Sequence, residues 1–176
     1  MALQIKWLKL VEGVETPKKA HPTDAGMDMR VIITPELAPQ TTRPTDGPAV
    51  IRDYHDPDLG IATKGCLIYN NQTVIFHTGL KCAVPEGYYL EINPRSSLGF
   101  KKDLVLANTT GIIDSHYRGE LMVAIHNNSG IVQEIMDGER VVQCMLKKVE
   151  DVENVEVNEL DDTDRGEGGL GSSGTN

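Results

Sequence analysis

Apolar side chains recur at every second position along much of the chain. The alternation is clear in residues 3–7 (LQIKW), and in residues 121–125 (LMVAI) the three branched residues fall on one face. Successive side chains of a β-strand point to opposite faces, so a period of two indicates strands with one buried face. Both segments are therefore predicted to be β-strands.

Five further runs favour strands because they are rich in β-branched and aromatic residues and are bounded by turn sequences such as PEG and NNSG. They span residues 66–70, 73–84, 87–94, 103–114 and 138–149. No amphipathic stretch of a dozen residues predicts a long helix, and one short helix is expected near residues 97–102. The predicted fold class is therefore all-β.

Two segments interrupt this pattern. Residues 41–65 contain three prolines, three glycines and many polar groups, and are predicted to form a long surface excursion without regular structure. Loops of that length are uncommon and are usually functional or mobile. Residues 150–164 contain eight acidic residues in fifteen. This acidic segment is either a solvated, disordered tail or an ordered arm on a neighbouring subunit.

Composition narrows the class of protein. A chain of 176 residues is long enough for one domain with its own core. Its net charge of −9 argues against binding nucleic acid or an anionic membrane over a broad surface. Cys66, Cys82 and Cys144 are far apart and odd in number, which favours reduced thiols over disulfides or a zinc site. With no long apolar run and no signal peptide, the chain is predicted to be a soluble cytoplasmic protein of a cell or of an infected host.

Two segments combine arginine with serine and glycine, namely PRSSLG at residues 94–99 and RGEGGLGSSG at residues 165–174. Glycine lets the backbone approach a ligand closely, and successive backbone N–H groups can surround phosphate oxygens. Taken singly, the terminal segment is more typical of a flexible linker or an expression remnant. A third distinctive segment, GIIDSHYRGE at residues 111–120, lies between them and favours a shared ligand site.

The chain resembles the trimeric deoxyuridine triphosphatase (dUTPase) family in five motifs that occur in the family's order. The motifs are AGMDMR (25–30), PRSSLG (94–99), NTTGIIDSHYRGE (108–120), GERVVQ (138–143) and RGEGGLGSSG (165–174). Any one of them would be a weak indication, whereas five in order are specific. The resemblance implies hydrolysis of dUTP to dUMP and pyrophosphate, which keeps uracil out of DNA and supplies dUMP for thymidylate synthesis.

The resemblance also implies an architecture. It is a distorted jelly-roll-like β-barrel or sandwich with one short helix, assembled as a homotrimer with an exchanged C-terminal arm. Residues 1–149 would form the β-domain, with residues 41–65 as a surface insertion. Residues 150–176 would form the acidic arm and a Gly-rich, phosphate-binding lid.

The first two motifs are expected to bind the phosphates. By resemblance, Asp28 holds water ligands of a Mg2+ that the triphosphate chelates, which suits a cation that keeps several waters. Arg95 and Ser96, followed by Ser97, are expected to lie along the phosphate chain, because arginine and helix N-terminal amides bind anions. Taken singly, Asp28 is also an ordinary turn residue, and the serines are an N-cap pair.

The third motif is expected to bind the base and the sugar. Asn108 and the backbone up to Gly111 are predicted to form a β-hairpin tip against the Watson–Crick edge of uracil, with Ile113 beside it. Cytosine would place its amino group, a hydrogen-bond donor, against a donor of the bend, and each group left unpaired costs about 1–3 kcal/mol of binding free energy. Thymine would be excluded sterically by its methyl group. Tyr117 would stack under the deoxyribose and exclude a ribose 2′-hydroxyl. A half-buried sheet aromatic is the alternative interpretation of Tyr117.

Two more polar residues receive roles from the resemblance. Asp114 is expected to orient and deprotonate the water that attacks the α-phosphorus, which is a general-base role. The alternative is a hairpin aspartate that caps local amides. Gln143 is expected to support the base-binding hairpin and the phosphates, and an outward-facing strand residue is its alternative.

The fifth motif is expected to close the site. Arg165 would grip the γ-phosphate, and the Gly-rich segment of another subunit would order over the bound nucleotide as a lid. The residues assigned to this lid are Gly169, Leu170, Gly171, Ser172 and Ser173. The family usually has an aromatic residue over the uracil ring where this chain has Leu170, which predicts weaker stacking on the base.

Three alternative interpretations concern the function of the chain. A dCTP deaminase of the same fold would attack C4 of cytosine, but it would carry a different acidic group where this chain has IIDSHY. A nucleotide-sensing or repressor-binding module would keep the fold without activity, which the retained polar residues disfavour. Some bacteriophage relatives use added segments to bind regulatory proteins, so a regulatory partner at residues 41–65 is an alternative to a loop without function.

Overall fold

The computed structural model describes residues 3–57 and 60–168, and in these residues it has twelve β-strands and one α-helix. The strands are β1 (Lys6–Lys9), β2 (Met27–Arg30), β3 (Gln40–Thr41), β4 (Val50–Asp56), β5 (Ile61–Ile68), β6 (Thr73–Ala83), β7 (Tyr88–Pro94), β8 (Leu104–Leu106), β9 (Gly111–Ile113), β10 (Glu120–Asn127), β11 (Gln133–Met136) and β12 (Arg140–Lys148). The helix is α1 (Ser96–Lys102), and one turn of 3-10 helix covers Pro44–Asp46. The predicted all-β class and the short helix are confirmed.

The described strands form three antiparallel sheets. One has the order β1-β6-β10-β8, with β3 also paired to β6, the second β11-β5-β4, and the third β2-β12-β7-β9. Neighbours in these sheets are mostly not consecutive in sequence, which is the connectivity of a jelly-roll-like β-sandwich. Strands that are distant in sequence therefore meet side by side, and this brings the motifs together.

Alternating burial along the strands builds the core. In β10 the buried positions include Leu121, Val123 and Ile125, as the period of two predicts. The large buried side chains include Phe76 and Leu90, which are fully enclosed. Apolar side chains from all three sheets belong to one buried cluster, and burial of such area is the main favourable term in folding.

A bulge in β6 interrupts the alternation at Gly79. The register of β10 against β6 shifts there, and Gly79 has a φ of +67°. A Cβ at this position would lie 2.8 Å from the Val14 Cγ2 atom, so both the backbone angle and the space require glycine. The Glu120 carboxylate holds the bulge, since it accepts a hydrogen bond from the Gly79 N–H (2.9 Å) and contacts His77 Nδ1 (2.8 Å). The bulge thereby fixes the end of the third motif.

Residues 41–65 are not the irregular excursion that their prolines and glycines predicted. They contain β4 and most of β5, which pair in an antiparallel hairpin from Val50 opposite Leu67 to Asp56 opposite Ile61. The hairpin is joined to the rest of the fold, because β5 also pairs with β11 and the Tyr54 hydroxyl donates to Glu134 Oε1 at 2.6 Å. The prediction of a structureless loop is therefore wrong.

The predicted strand over residues 103–114 is two short strands. β8 pairs with β10 in the first sheet, whereas β9 pairs with β7 in the third sheet. The chain thus crosses from one sheet to another between Leu106 and Gly111. A continuous apolar run on the sequence cannot distinguish one strand from two strands in different sheets.

The acidic segment has no helix or strand where the structure describes it, and residues 150–167 are exposed. Its two interpretations, a solvated tail and an arm on a neighbouring subunit, both stay predictions. Among the described residues no helix is long and apolar enough to span a membrane.

Removal of the Asn127 side-chain amide is expected to destabilise the fold. Asn127 is fully buried, and its Nδ2 donates to the carbonyls of Ile68 (2.7 Å) and Ile131 (2.8 Å). Asn127→Ala would remove this donor from the carbonyl of the fully buried Ile68, at about 2–4 kcal/mol of free energy of unfolding. Urea denaturation at fixed protein concentration measures the loss. The exposed neighbour Asn128→Ala is the matched control, and equal midpoints for the two variants would contradict the prediction.

Candidate functional site

A cleft of about 350 Å³ opens where β2 and β12 meet the junction between β7 and α1. Four residues predicted from three different motifs line it, namely Asp28, Arg95, Ser96 and Gln143. The other lining residues are Ala20, Asp24, Ala25 and Gly26. Ser97 was predicted beside them but is not among the lining residues.

The register of the third sheet brings these side chains together. Gln143 on β12 lies opposite Asp28 on one side and opposite Asn93 on the other. Neighbouring strands are about 4.8 Å apart, so residues in register form a row across the sheet. Three motifs that are far apart in sequence therefore meet at one edge of the cleft.

Two arginines share the carboxylate of Asp28. Arg95 Nε lies 2.8 Å from Asp28 Oδ1, and Arg140 Nη1 lies 3.0 Å from Asp28 Oδ2. Two positive groups against one negative group leave the cluster with a net positive charge, although the whole chain is acidic. Guanidinium groups have five N–H donors each, so several donors remain to bind an anion. Arg95 lines the cleft and Arg140 lies beside it, so these donors can bind phosphate groups there, although the carboxylate of Asp24 also lines the cleft.

Sequence reasoning left Arg140 without a role and did not identify Gly26. A Cβ at Gly26 would lie 2.4 Å from Gln143 Oε1, so only glycine leaves room for this amide. The Gln143 Nε2 atom donates to the Pro94 carbonyl at 3.3 Å, which directs the side chain along the cleft. Glycine beside aspartate in AGMD was the available signal, but it is equally typical of a turn.

The N-terminus of α1 does not use a serine as its cap. Arg95 is the N-cap, with extended backbone and no side-chain capping bond. The Arg95 N–H instead donates to the Val141 carbonyl at 3.1 Å, which joins the motif to β12. The interpretation of Ser96 and Ser97 as an N-cap pair is therefore wrong, and Ser96 lies exposed at the cleft.

The bend that precedes β9 is held by its own polar groups. Asn108 Nδ2 donates to the Thr110 carbonyl at 3.3 Å, and Thr109 adopts a left-handed backbone with a φ of 60°. A Cβ at Gly111 would lie 3.2 Å from the Ile92 Cβ atom, so the backbone approaches β7 closely. The predicted β-hairpin tip is wrong in one respect, since the strands on either side of the bend pair with other strands.

The segment after β9 forms a turn around Tyr117. The Asp114 carbonyl accepts a hydrogen bond from the Tyr117 N–H at 3.1 Å, and the Asp114 side chain is exposed. The Tyr117 hydroxyl donates to the Glu120 carbonyl at 2.9 Å, and a Cβ at Gly119 would lie 2.3 Å from that hydroxyl. Tyr117 remains 41% exposed, so part of its side chain is accessible to a ligand.

The predicted site residues do not all meet within one chain. Asn108, Gly111, Ile113, Asp114 and Tyr117 lie around β9, and none of them lines the cleft beside Asp28. Arg165 lies on the exposed C-terminal segment, where its Nε donates to the Gly168 carbonyl at 2.9 Å. The assigned lid residues Gly169, Leu170, Gly171, Ser172 and Ser173 lie outside the described residues.

The cysteine beneath the cleft is not a nucleophile. Cys144 follows Gln143 on β12 and is fully buried, and this burial raises the pKa of its thiol to about 12. Because the thiolate is the reactive form, the group is inert near neutral pH. The polar groups left to the cleft are the guanidinium of Arg95, the carboxylates of Asp24 and Asp28, the Ser96 hydroxyl and the Gln143 amide.

Comparison with known proteins identifies the family. A family model described as dUTPase matches residues 58–174. The deoxyuridine 5'-triphosphate nucleotidohydrolase of Aquifex aeolicus (strain VF5) is 37% identical over 173 residues, which cover 98% of this chain and 96% of that protein. The chain belongs to the dUTPase family.

Solved structures of dUTPases share the fold. The Staphylococcus bacteriophage 80alpha dUTPase with dUPNHPP has a TM-score of 0.71 at 22% identity, over 98% of this chain and 99% of that chain. A variant of the dUTPase from phage phi11 of S. aureus, described with a structural Mg(II) ion, has a TM-score of 0.62 at 19% identity, over 89% of this chain and 97% of that chain.

The donor set of this dUTPase-family chain does not form a metal site by itself. The part of the chain that the structure describes contains no group of three His, Cys, Asp or Glu side chains that could hold a metal ion. Both oxygens of Asp28 contact arginines. Mg2+ takes few protein ligands when phosphates are present, so these residues fit a metal that a triphosphate brings with it.

Gly26→Ala is expected to weaken anion binding without unfolding the dUTPase-family domain. The added Cβ would displace the Gln143 amide from the cleft. We expect affinity for pyrophosphate, measured by calorimetry, to fall about tenfold, which corresponds to about 1.4 kcal/mol. Gly99→Ala is the control for stability, because a Cβ at Gly99 meets nothing within 4 Å. Unchanged affinity in Gly26→Ala would show that Gln143 does not contact the anion.

Proposed function

We propose that the protein is a dUTP diphosphatase, which hydrolyses dUTP to dUMP and pyrophosphate. The observation that carries this proposal is the cleft lined by Asp28, Arg95, Ser96 and Gln143, beside which Arg140 also contacts the Asp28 carboxylate. It is suited to a polyanion, and the names of curated relatives give the activity. The bend at residues 108–111 provides amide and backbone groups for the edge of a base.

The proposed reaction is an in-line attack of water on the α-phosphorus. Asp114 takes a proton from the water, whose oxygen forms the new bond to phosphorus as the bond to the bridging oxygen breaks. Pyrophosphate leaves with the bridging oxygen, and dUMP keeps the oxygen that came from water. Phosphoryl transfer depends mainly on positioning and on neutralisation of charge, which the arginines supply. Mg2+ bound to the triphosphate would neutralise further charge, with Asp28 near its water ligands.

The rest of the substrate is assigned by position. Arg95, Ser96 and Gln143 would bind the phosphate chain, and Tyr117 would lie under the deoxyribose. The bend at residues 108–111 would pair with uracil, with Ile113 beside it. Arg165 and the lid residues would bind the outer phosphates.

A homotrimer with sites between subunits is part of the proposal. Asp114 and Tyr117 do not line the cleft of their own chain, and Arg165 lies on an exposed arm. This separation supports completion of each site by residues from neighbouring subunits. Cys66, Cys82 and Cys144 are free and buried, which supports a reducing compartment such as the cytoplasm.

A panel of nucleotides tests the proposed function. With Mg2+ present, dUTP is expected to yield dUMP and pyrophosphate, and dCTP, dTTP and UTP to react at least about 100-fold more slowly in kcat/KM. Addition of a chelator should slow the reaction. Release of ammonia from dCTP would instead identify a deaminase. Binding of a non-hydrolysable dUTP analogue without turnover of dUTP would identify a binding module.

Asp114→Asn tests the proposed general base. The amide keeps the shape of the side chain but cannot accept the proton, so pyrophosphate release is expected to fall at least about 100-fold. Binding of a non-hydrolysable dUTP analogue should change little. Asp103→Asn is the matched control, since Asp103 is exposed and its φ of 53° is one that asparagine tolerates. Substantial turnover by Asp114→Asn would remove Asp114 from this role.

A further inference from the structure

A row of polar side chains follows one face of β7. Tyr89, Glu91 and Asn93 occupy alternate positions, so they point the same way from the strand. The Tyr89 hydroxyl donates to Glu91 Oε2 at 3.1 Å, and the Asn93 Nδ2 donates to Glu91 Oε1 at 2.9 Å. All three residues are partly buried. Glu91 and Asn93 lie outside the five motifs.

This row continues into the bend that is proposed to bind the base. The Thr110 hydroxyl donates to Asn93 Oδ1 at 3.2 Å, and the Thr110 carbonyl accepts the Asn108 side chain at 3.3 Å. Between them lies Thr109, in its left-handed conformation. The bend is therefore tied to β7 by a side-chain hydrogen bond in addition to the pairing of β9 with β7.

The charge of Glu91 gives this chain of hydrogen bonds one direction. A glutamate is ionised near neutral pH and only accepts hydrogen bonds, and the hydrogen bond from Asn93 lowers the pKa of Glu91 below its usual value. The Asn93 amide must then turn its nitrogen towards Glu91 and its oxygen towards Thr110. The Thr110 hydroxyl must in turn donate to that oxygen. An asparagine without such a partner could present either end of its amide.

We propose that Asn93, oriented by Glu91, is a positioning residue that fixes the base-binding bend, and this rests on the proposed function. Asn93 has no direct role in the chemistry. Its amide oxygen holds the Thr110 hydroxyl in a hydrogen bond to β7. The bend therefore presents Asn108 and its backbone groups to the base in one arrangement. Asn93 also lies opposite Gln143 in the sheet, immediately before Pro94. It thus stands between the phosphate cleft and the bend.

The kinetic test uses Thr110→Val, which keeps the shape of the side chain and removes the donor. We expect KM for dUTP to rise about fivefold to tenfold, because one hydrogen bond is lost, while kcat changes less than about twofold. The preference for dUTP over dCTP should fall by a similar factor, and affinity for pyrophosphate should stay the same. Thr63→Val, on β5 in another sheet, is the matched control and should change none of these values.

The orientation of the amide is tested by reversing one hydrogen bond. Asn93→Asp places two carboxylates side by side, so KM for dUTP is expected to rise about tenfold or more. Glu91→Gln added to that variant should restore KM to within about twofold. The amide at 91 would then donate to the new carboxylate, which still accepts from Thr110. If Asn93 had a merely structural role, adding Glu91→Gln to Asn93→Asp would not restore KM for dUTP.

Each outcome decides one question. Hydrolysis of dUTP by the unmodified protein with unchanged KM in Thr110→Val and Asn93→Asp would overturn the inference and leave the proposed function intact. A loss of pyrophosphate affinity as large as the rise in KM for dUTP would also overturn the inference, because the effect would then lie in the phosphate cleft. Absence of dUTP hydrolysis by the unmodified protein would refute the proposed function itself. Thermal denaturation of every variant confirms that it is folded.

Discussion

The register of β12 between β2 and β7 is the constraint on which the site depends. A shift of one residue would turn every side chain to the opposite face of the sheet. Val142 and Cys144 are buried and fill the core, so the register that buries them turns Gln143 outwards to the cleft. The same register places Asp28 and Asn93 on either side of Gln143. Packing of the core thus positions the polar groups.

The shared carboxylate explains how two arginines can lie close together in an acidic chain. The side chains of Asp28, Arg95 and Arg140 are 19%, 28% and 46% exposed. The guanidinium group of Arg140 is accessible to water, so its ion pair with Asp28 contributes little to stability, whereas the Asp28–Arg95 pair is mostly buried. Phosphate oxygens could therefore replace Asp28 as the partner of Arg140 at small cost. The Asp28 carboxylate offsets the repulsion between the two guanidinium groups, and Arg95 lines the cleft.

Sequence reasoning was most successful where one local rule decides the structure. The period of two predicted β10, and a run rich in β-branched residues predicted a strand over residues 73–84, where β6 spans Thr73–Ala83. The motifs of the family resemblance indicated Asp28, Arg95 and Gln143, which line one cleft. Sequence reasoning did not predict the hairpin of β4 and β5, because proline and glycine at its ends masked the β-branched residues between them. Arg140 and Asn93 were missed for a different reason. Their roles arise from partners on neighbouring strands, and pairing between distant strands is not visible in a local pattern.

The hairpin of β4 and β5 is part of the sheet structure and not an appendage. Cys66 and Ile68 on β5 are fully buried, so β5 contributes to the core, and β4 covers the backbone edge that β5 would otherwise expose. Lys102, at the end of α1, donates to the carbonyl of Glu134 on β11 (2.8 Å) and to Glu139 Oε1 (2.6 Å). Since β11 pairs with β5, a continuous set of contacts joins the hairpin to the helix that begins at the cleft. Deletion of residues 41–65 would therefore expose a sheet edge and disturb the contacts that support the helix beginning at Ser96.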